Sequence, residues 1–483
     1  MTLDRQLIAE IAREVVERLE TQLQAAPGVG RTSWSASAAG DGVFPTVDEA
    51  VRAAAGAQRR VAAMSLEDRG RIVAIIRRMC IQNAPEWARL ELDETDLGRL
   101  DHKIEKLRIV KNVLGVEAIE SSQVRSDSTG LCIVERAPWG VIGMVLPVTH
   151  SVPTMASNAI NVIAAGNTAV FSPHPAAAKV AGLALRAFNR EIERETGVAN
   201  VITTVAEPSL RSVEEIFRHP GIALLCVTGG PAVVKAAAKS GKRVIAAGPG
   251  NPPVVVDETA DLDHAAESIV LGASFDNNLL CIGEKEVFVV ERVFDEFRAA
   301  LARAHAFEID AAAIERLADA AFHFENDAQG GSHPHLKKDL FGKDVAVLAA
   351  AAGVEAPPGA PLLFGETAED HAFVQEEQMM PFLPIVRVRD VDAAIAAAVK
   401  AEQGFRHTAI IHSRNLDNVT KMARALDTTL FVHNGPSVAA LGSGAPGYLS
   451  FSIATPTGEG VTTPLTFTRE RQLAIGGGAL RIV

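Results

Sequence analysis

One of the four cysteines lies in a setting suited to covalent chemistry. Cys281 follows the polar segment 276–278 (DNN) and precedes Glu284 and Lys285. Adjacent amides are poor core material, but their N–H groups can stabilise a developing oxyanion. Because the thiolate is the effective nucleophile, a reactive Cys281 is expected to stand ionised in a polar or positive setting. From these residues alone, a buried structural thiol is the alternative.

The other three cysteines, Cys80, Cys132 and Cys226, lie in apolar periodic runs and are expected to fill cores. No CxxC pair is present, so neither a zinc site nor a disulfide framework is predicted, and a reducing cytoplasm fits best. His333-Pro334-His335 lacks a third ligand at suitable spacing, which favours a solvated loop over a metal site. We therefore predict no metal.

Nucleotide-binding signals are weak on their own. No GxGxxG follows a strand, but Thr228, Gly229 and Gly230 end one predicted strand and open the next helix. A phosphate could approach backbone N–H groups there, and a plain tight turn is the alternative. His174, between two prolines just past a strand, lies where a cofactor would bind, or it stiffens the loop.

Alternating strands and helices must position these residues. From Val141 the chain alternates between them, which predicts a parallel sheet that binds ligands beyond the carboxyl ends of its strands. A second α/β block follows from Pro252, with strands near PPVVV and EVFVV and helices near 294–303 and 391–401. Residues 124–138 and 463–483 fit neither block and are expected to pair as a small sheet that contacts other subunits.

The N-terminus has a different pattern. Apolar residues four apart predict an amphipathic helix over residues 1–20, and residues 21–43 read as a flexible linker. A helix this short is marginal alone in water, so it should dock either on its own chain or on a partner.

Size and charge limit the classes of function. The 483 residues correspond to roughly three domains. A net charge of −12 disfavours binding to nucleic acid. No apolar run is long enough to span a membrane, and acidic residues interrupt any signal-peptide core.

Several segments along the chain together resemble a known family. GVIGMVLPVTHSVPT, VTGGPAVVKAA, AAGPGNPPVVVDETAD, GASFDNNLLCIGEKEVFVV and EEQMMPFLPIVRV are similar to CoA-acylating aldehyde dehydrogenases, in particular the propionaldehyde and acetaldehyde enzymes of bacterial microcompartments. The resemblance implies an α/β aldehyde dehydrogenase fold with three parts. These are a Rossmann-like NAD- and CoA-binding domain (44–123 and 139–248), a catalytic domain (249–450) and a small β oligomerisation sheet (124–138 and 451–483).

The resemblance also implies the chemistry. Cys281 matches the family nucleophile, which attacks a short-chain aldehyde, passes hydride to NAD and transfers the acyl group to coenzyme A. The oxyanion would be held by the Cys281 N–H with Thr149 or Asn277. Hydrolytic relatives carry a glutamate that activates water, whereas residues 246–250 here read AAGPG. A hydrolytic enzyme giving the free acid and a non-catalytic scaffold are the competing functions.

Cofactor contacts are carried over residue by residue. Gly229 and Gly230 match the turn under the pyrophosphate, and Thr228 and Gly248 are further predicted cofactor contacts. Ser172 and His174 match the adenosine side, and Glu377 matches a carboxylate for the nicotinamide ribose. In the family CoA enters largely through the same pocket after NADH leaves, which implies ordered, ping-pong turnover.

Two positions depart from the family pattern. Residues 148–151 read VTHS where Ser-Thr-Asn-Pro is usual, so that His150 either assists deprotonation of Cys281 or CoA or only reshapes the pocket. Leu280 stands where close relatives often have proline or another apolar residue, which leaves the nucleophile assignment intact and the aldehyde preference open.

The resemblance extends to partners. Microcompartment enzymes often carry an N-terminal peptide of this kind, so residues 1–20 are expected to bind shell proteins or co-packaged enzymes. A homo-oligomer, either dimer or tetramer, inside a cytoplasmic microcompartment is expected.

Overall fold

The computed structural model describes residues 40–119, 122–326 and 332–478. The predicted amphipathic helix 1–20 lies outside these residues, as does most of the predicted linker. The linker prediction is wrong at its end, because Val43 is buried in the first strand and pairs with Thr204.

The described residues contain fifteen α-helices: α1 Val47–Ala63, α2 Leu66–Gln82, α3 Ala84–Thr95, α4 Leu100–Arg108, α5 Ser151–Ala164, α6 Ala178–Thr196, α7 Leu210–Arg218, α8 Pro231–Ala238, α9 Leu262–Ser274, α10 Phe294–Arg303, α11 Ala311–Ala321, α12 Val345–Ala352, α13 Ala372–Gln375, α14 Val391–Glu402 and α15 Leu416–Leu426. Caps define many of these helices. Thr46, Ser65 and Asp261 each accept a backbone N–H from the first turn of the helix that follows.

The same residues form twenty strands: β1 Val43–Phe44, β2 Gln123–Asp127, β3 Gly130–Pro138, β4 Val141–Val145, β5 Thr168–Ser172, β6 Ile202–Val205, β7 Leu224–Thr228, β8 Arg243–Ala247, β9 Pro253–Val256, β10 Glu286–Val290, β11 Phe307–Glu308, β12 Phe322–Asn326, β13 Ser332–Leu336, β14 Leu363–Glu366, β15 Phe382–Val388, β16 Thr408–His412, β17 Leu430–His433, β18 Ile453–Ala454, β19 Gly460–Val461 and β20 Thr468–Ile475.

The first large sheet has the strand order β1-β6-β5-β4-β7-β8, and every pair in it is parallel. This confirms the alternating pattern that begins at Val141. Helix α5 connects β4 to β5, and all fourteen of its residues are buried. A helix that is enclosed on every side has no need of a polar face.

The second large sheet has the order β11-β14-β15-β10-β9-β16-β17 and is also parallel throughout. The predicted strands PPVVV and EVFVV are β9 and β10, which pair side by side near its centre. Their continuous runs of buried valines are typical of strands covered on both faces.

A three-stranded antiparallel sheet joins the two segments that fitted neither block. Strand β3 pairs with β2 on one side and with β20 on the other, so the predicted small sheet is confirmed. Its role in oligomerisation stays a prediction, as do the domain boundaries.

The His333-Pro334-His335 segment was expected to be a loop, and that expectation is wrong. These residues lie in β13, which forms an antiparallel hairpin with β12. Across residues 40–119, 122–326 and 332–478, no three His, Cys, Asp or Glu residues form a group able to hold a metal ion. No helix in these ranges is long and apolar enough to cross a membrane.

The cysteines divide as expected, with one exception. Cys80 and Cys226 are fully buried, which confirms them as core residues. Burial raises the pKa of Cys226 to about 12. Cys132 lies on β3 of the small sheet and is only partly buried, so the core prediction is wrong for it.

His412 on β16 generates a prediction about acid stability. Neither ring nitrogen has a hydrogen-bond partner, and burial lowers its pKa to about 3. The unfolded chain therefore takes up a proton below about pH 6.5 that the folded chain refuses until about pH 3, and stability is lost as pH falls through this window. His412→Asn should flatten this dependence by up to about 1.4 kcal/mol per pH unit, measured as apparent Tm between pH 7 and 5. The same substitution at exposed His305 is the control, and equal slopes in both variants would contradict the assignment.

Candidate active site

The segment that leads into Cys281 has an unusual backbone. Helix α9 ends at Ser274, and a short 3-10 turn, Phe275–Asn278, follows it. Within this turn Asp276, Asn277 and Asn278 have φ angles of 50°, 56° and 62°. Asp and Asn tolerate the left-handed region better than most residues, which explains why this segment reads DNN.

The Cys281 side chain is half-buried and protonated. Burial raises its pKa to about 12, and the nearby Glu377 carboxylate raises it further, while Lys285 and the backbone N–H groups of Cys281 and Ile282 act in the opposite direction. This environment favours the protonated thiol, in contrast to the ionised sulfur expected from the sequence, because the charged form is costly where water is scarce. The thiol must lose its proton during the reaction.

Lys285 holds the cysteine segment through hydrogen bonds. Its buried ammonium group donates to the Asn278 carbonyl at 2.8 Å, to the Leu280 carbonyl at 3.3 Å and to the Asn278 side-chain oxygen. It is the cation that lowers the pKa of Cys281. From the sequence, Lys285 was only a polar neighbour of Cys281, although a lysine next to the buried run EVFVV is a signal that could have revealed its role.

Gly250 allows the Cys281 backbone and a histidine ring to approach each other. A Cβ added at Gly250 would lie 2.7 Å from the Cys281 carbonyl oxygen and 2.8 Å from Cγ of His407. Only glycine fits this close approach. Burial and the Lys285 charge lower the pKa of His407 to about 4, so its imidazole is neutral, and its Nε2 is buried without a partner. Sequence reasoning missed His407, because nothing near it in the chain marks it as chemical.

The connection from β8 to β9 carries no acidic side chain at the cysteine. Strand β8 ends at Ala247, and a Cβ added at Gly248 would lie 2.9 Å from Pro456. The glutamate of hydrolytic relatives has no counterpart in this connection.

Glu377 is the carboxylate whose charge acts on Cys281. Burial raises its pKa to about 7, while Lys285 and the Gly250 N–H lower it. Its Oε1 is buried and unpartnered. An acceptor without a partner beside the cysteine fits the hydroxyls of a nicotinamide ribose. The structure thus brings Glu377 and Cys281 into one site.

Thr149 and His150 lie at the start of α5. The Thr149 carbonyl accepts from Lys106 at 3.0 Å and from Lys103 at 3.5 Å. Burial, reinforced by these two charges, lowers the pKa of His150 well below its usual value. A neutral imidazole with a buried, unpartnered Nδ1 can form one more hydrogen bond in the pocket.

Asn277 does not face the sulfur. Its side-chain amide donates to the Gly342 carbonyl at 3.0 Å and to Asp344 at 2.8 Å, which uses both of its N–H groups. The expectation that Asn277 holds the oxyanion is therefore wrong. The amide of Asn278 is also engaged, since it donates to the Glu284 carbonyl at 2.8 Å.

The predicted nucleotide contacts lie at the carboxyl ends of the first sheet. Ser172 ends β5 with a buried, unpartnered Oγ, which fits a cofactor hydroxyl. The exposed His174 accepts the Ala176 N–H at its Nδ1, which is the loop-stiffening role.

The turn between β7 and α8 is only partly free to bind a ligand. Thr228 Oγ1 lies 2.7 Å from the Ser452 hydroxyl, and the Gly229 N–H donates to the Ala247 carbonyl. Gly230 has open space where a side chain would be and precedes Pro231 at the start of α8. The free surface of this turn is therefore at Gly230.

The fold and this site agree with the comparisons to known proteins. The aldehyde dehydrogenase family model matches residues 27–321 and 343–447. The acetaldehyde dehydrogenase (acetylating) EutE of Salmonella typhimurium is 46% identical over 444 residues, which cover 92% of this chain and 94% of that protein.

Solved structures of proteins from two organisms are similar to this chain over most of its length. Propionaldehyde dehydrogenase of Rhodopseudomonas palustris with bound CoA and an acylated cysteine has 41% identity and a TM-score of 0.87, covering 92% of this chain and 100% of that one. Propionaldehyde dehydrogenase of the Clostridium phytofermentans fucose utilisation microcompartment has 39% identity and a TM-score of 0.86, with 92% and 100% coverage. With its two parallel sheets and its cysteine segment, this chain belongs to the aldehyde dehydrogenase family.

Lys285→Met tests the electrostatic support of the sulfur. Losing this cation should raise the pKa of Cys281 by about one unit or more, so the rate of alkylation by iodoacetamide at pH 8 should fall about tenfold. The reaction is followed by mass spectrometry of the Cys281 peptide. Lys285→Arg, which keeps the charge, should retain more of the rate, and Cys281→Ala gives the background. An unchanged or faster rate in Lys285→Met would contradict this role.

Proposed function

We propose that this chain oxidises a short-chain aldehyde to its acyl-CoA, with NAD as hydride acceptor. The observation that carries the proposal is a half-buried cysteine whose backbone lies close to Gly250. Gly250 belongs to the connection between β8 and β9, which contains no carboxylate. The relatives named above act on acetaldehyde or propionaldehyde, and one of them holds CoA and an acylated cysteine.

The first half of the reaction acylates Cys281. Its thiol loses a proton, and the resulting thiolate, stabilised by Lys285, attacks the aldehyde carbon to give a thiohemiacetal. The Cys281 N–H and a polar group from Thr149 or His150 face the developing oxyanion. Glu377 and Ser172 offer unpartnered oxygens that would hold NAD, and NAD would supply the hydride acceptor. The product of this half is a thioester on the sulfur.

The second half transfers the acyl group to a thiol. His407 is neutral, has an unpartnered Nε2 and, like the Cys281 backbone, packs at Gly250, so we assign it as the acceptor of the CoA proton. Water competes poorly, because residues 246–250 supply no base to activate it. The acyl group therefore remains on Cys281 until the CoA thiol attacks.

The partition between CoA and water tests this proposal. Without CoA, rapid mixing with aldehyde and NAD should give a burst of at most one NADH per active site, followed by turnover at least about 100-fold slower than with CoA, because the thioester persists. NADH absorbance and acyl-CoA chromatography measure the two outcomes. Cys281→Ala should give neither burst nor turnover. Rapid formation of free acid without CoA would establish the hydrolytic alternative, and full activity in Cys281→Ala would overturn the cysteine mechanism.

The proposal extends to a homo-oligomer inside a microcompartment. Val124 on β2, Ile133 on β3 and Leu473 on β20 pair in one row across the small sheet, and Val124 and Leu473 are 59% and 54% exposed. An exposed apolar row of this kind suits a subunit contact. A similar structure comes from a microcompartment enzyme. The amphipathic pattern of residues 1–20 supports docking on a shell protein or a co-packaged enzyme.

Deleting residues 1–20 separates targeting from catalysis. The truncated chain should keep its kcat and its oligomeric state, because the described site and sheet lie outside the deletion, but it should no longer co-purify with compartments. Activity assays, light scattering and fractionation of a fluorescent fusion measure these properties. Loss of the oligomer, or retention in compartments, would contradict the proposal that residues 1–20 act as a targeting peptide.

A further inference from the structure

The backbone that delivers Cys281 is held by its side chains. Three consecutive left-handed residues, 276–278, are strained for non-glycine side chains and persist only where the surroundings fix them. Each of the three is bound by a different part of the chain. Asn277 contacts Gly342 and Asp344, Asn278 contacts Lys285, and Asp276 contacts the helix α4 region.

Asp276 lies in a cradle built for a carboxylate. One oxygen accepts the Arg99 N–H at 2.8 Å, the other contacts the Lys106 ammonium group, and the Asp276 N–H donates to His102 Nδ1 at 2.8 Å. A Cβ on Gly98 would lie 2.2 Å from Asp276 Oδ1, so the carboxylate occupies space that only glycine leaves open. Asp276 is completely buried. Its position is therefore fixed by contacts with residues 98–106.

Lys106 has a second partner across the site. Its ammonium group, also completely buried, donates to the Thr149 carbonyl at 3.0 Å. Thr149 belongs to the pocket loop, residues 147–150, which ends at the neutral His150. Val148 in this loop and Cys281 pack on the same hydrophobic cluster. A single cation thus touches both the cysteine segment and the pocket loop.

A neighbouring pair supports only the pocket-loop side. Lys103 lies 3.3 Å from Glu91 and 3.5 Å from the Thr149 carbonyl. Glu91 in turn accepts the Val152 N–H in the first turn of α5 at 3.3 Å. The four buried side chains form two cation–carboxylate pairs, so the group is neutral as a whole. Of the two lysines, only Lys106 contacts Asp276 within the described residues.

We propose that Lys106, through its contacts with Asp276 and Thr149, is a positioning residue that fixes the distance between the Cys281 segment and the oxyanion-binding groups of the pocket loop. This inference rests on the proposed function and adds a residue that acts through others rather than on the substrate. An ammonium group is suited to the task, because its three N–H donors can bond two acceptors from separate segments at once. A displacement of about 1 Å between reacting groups can cost on the order of 100-fold in rate.

Two charge-neutral double variants test the proposal. Lys106→Met with Asp276→Asn removes the bridge, which is the pair of contacts from Lys106 to Asp276 and to Thr149. It leaves no buried charge unpaired, and Asn keeps an acceptor for Arg99 and tolerates the left-handed backbone. Lys103→Met with Glu91→Gln removes the neighbouring pair and leaves the bridge. Both are compared with the wild-type chain for apparent Tm, NADH burst rate, KM for NAD and alkylation of Cys281. The alkylation rate reports the sulfur itself, independently of the oxidation.

The bridge variant should lower the burst rate about 100-fold while KM for NAD and the Cys281 alkylation rate stay within threefold of wild type. The neighbouring-pair variant should keep its burst rate within threefold, even at a similar loss of Tm. Equal losses of burst rate in both variants would indicate a merely structural role, and a normal burst rate in the bridge variant would overturn the proposal. If the bridge variant does not fold, Lys106→Leu with Asp276→Asn gives the same comparison and keeps a residue that tolerates the left-handed backbone at position 276. A wild-type chain that makes no acyl-CoA would instead refute the proposed function.

Discussion

The placement of charge where water is excluded governs this site. Two lysines hold the cysteine segment: Lys285 donates to the Asn278 carbonyl, and Lys106 contacts the Asp276 carboxylate. Both ammonium groups are completely buried. Burying a charge is costly unless partners satisfy it, so each lysine restricts its neighbours to geometries that do so. The left-handed run 276–278 persists because these contacts offset its strain. The direction in which the chain presents Cys281 follows from this constraint.

The same scarcity of water explains the chemistry assigned to the sulfur. A pKa of about 12 keeps Cys281 protonated at rest, which limits its side reactions before substrate arrives. It also makes proton removal part of the catalytic cycle. Two titratable groups near the cysteine segment have shifted pKa values: that of Glu377 is about 7, and that of His407 is about 4, so the imidazole is neutral. Two titratable groups whose environments push their pKa values apart are typical of acid–base sites.

Local patterns predicted much of the fold and less of the site. Continuous apolar runs such as PPVVV and EVFVV identified β9 and β10, since strands covered on both faces need little else. The pairing of β3 with β20 followed from two strand-like segments left over from the α/β blocks. The β12–β13 hairpin was missed, because His333-Pro334-His335 has turn-like composition. Cys281 was singled out by its polar neighbours, whereas Glu377 and the role of the cysteine came from resemblance to a family.

Contacts between distant parts of the chain were not predictable in this way. Asn277 was expected to face the oxyanion because it is close to Cys281 in sequence, yet its amide points to residues 342–344. His407 and Lys106 reach the site from 126 and 175 positions away in the chain, and no short pattern reports such proximity. Lys103 and Lys106 lie three residues apart on α4, about one helical turn, so they share a face of the helix, and both are buried.

Gly250 has a consequence for redesigning this enzyme. Any larger residue there would collide with the backbone of the nucleophile and with the His407 ring. A carboxylate that activates water would therefore have to be introduced elsewhere in residues 246–250, for example at Ala246 or Ala247, which are buried at the end of the edge strand β8. The packing around Gly250 thus restricts the substitutions by which this thioester-forming site could be converted into an acid-forming one.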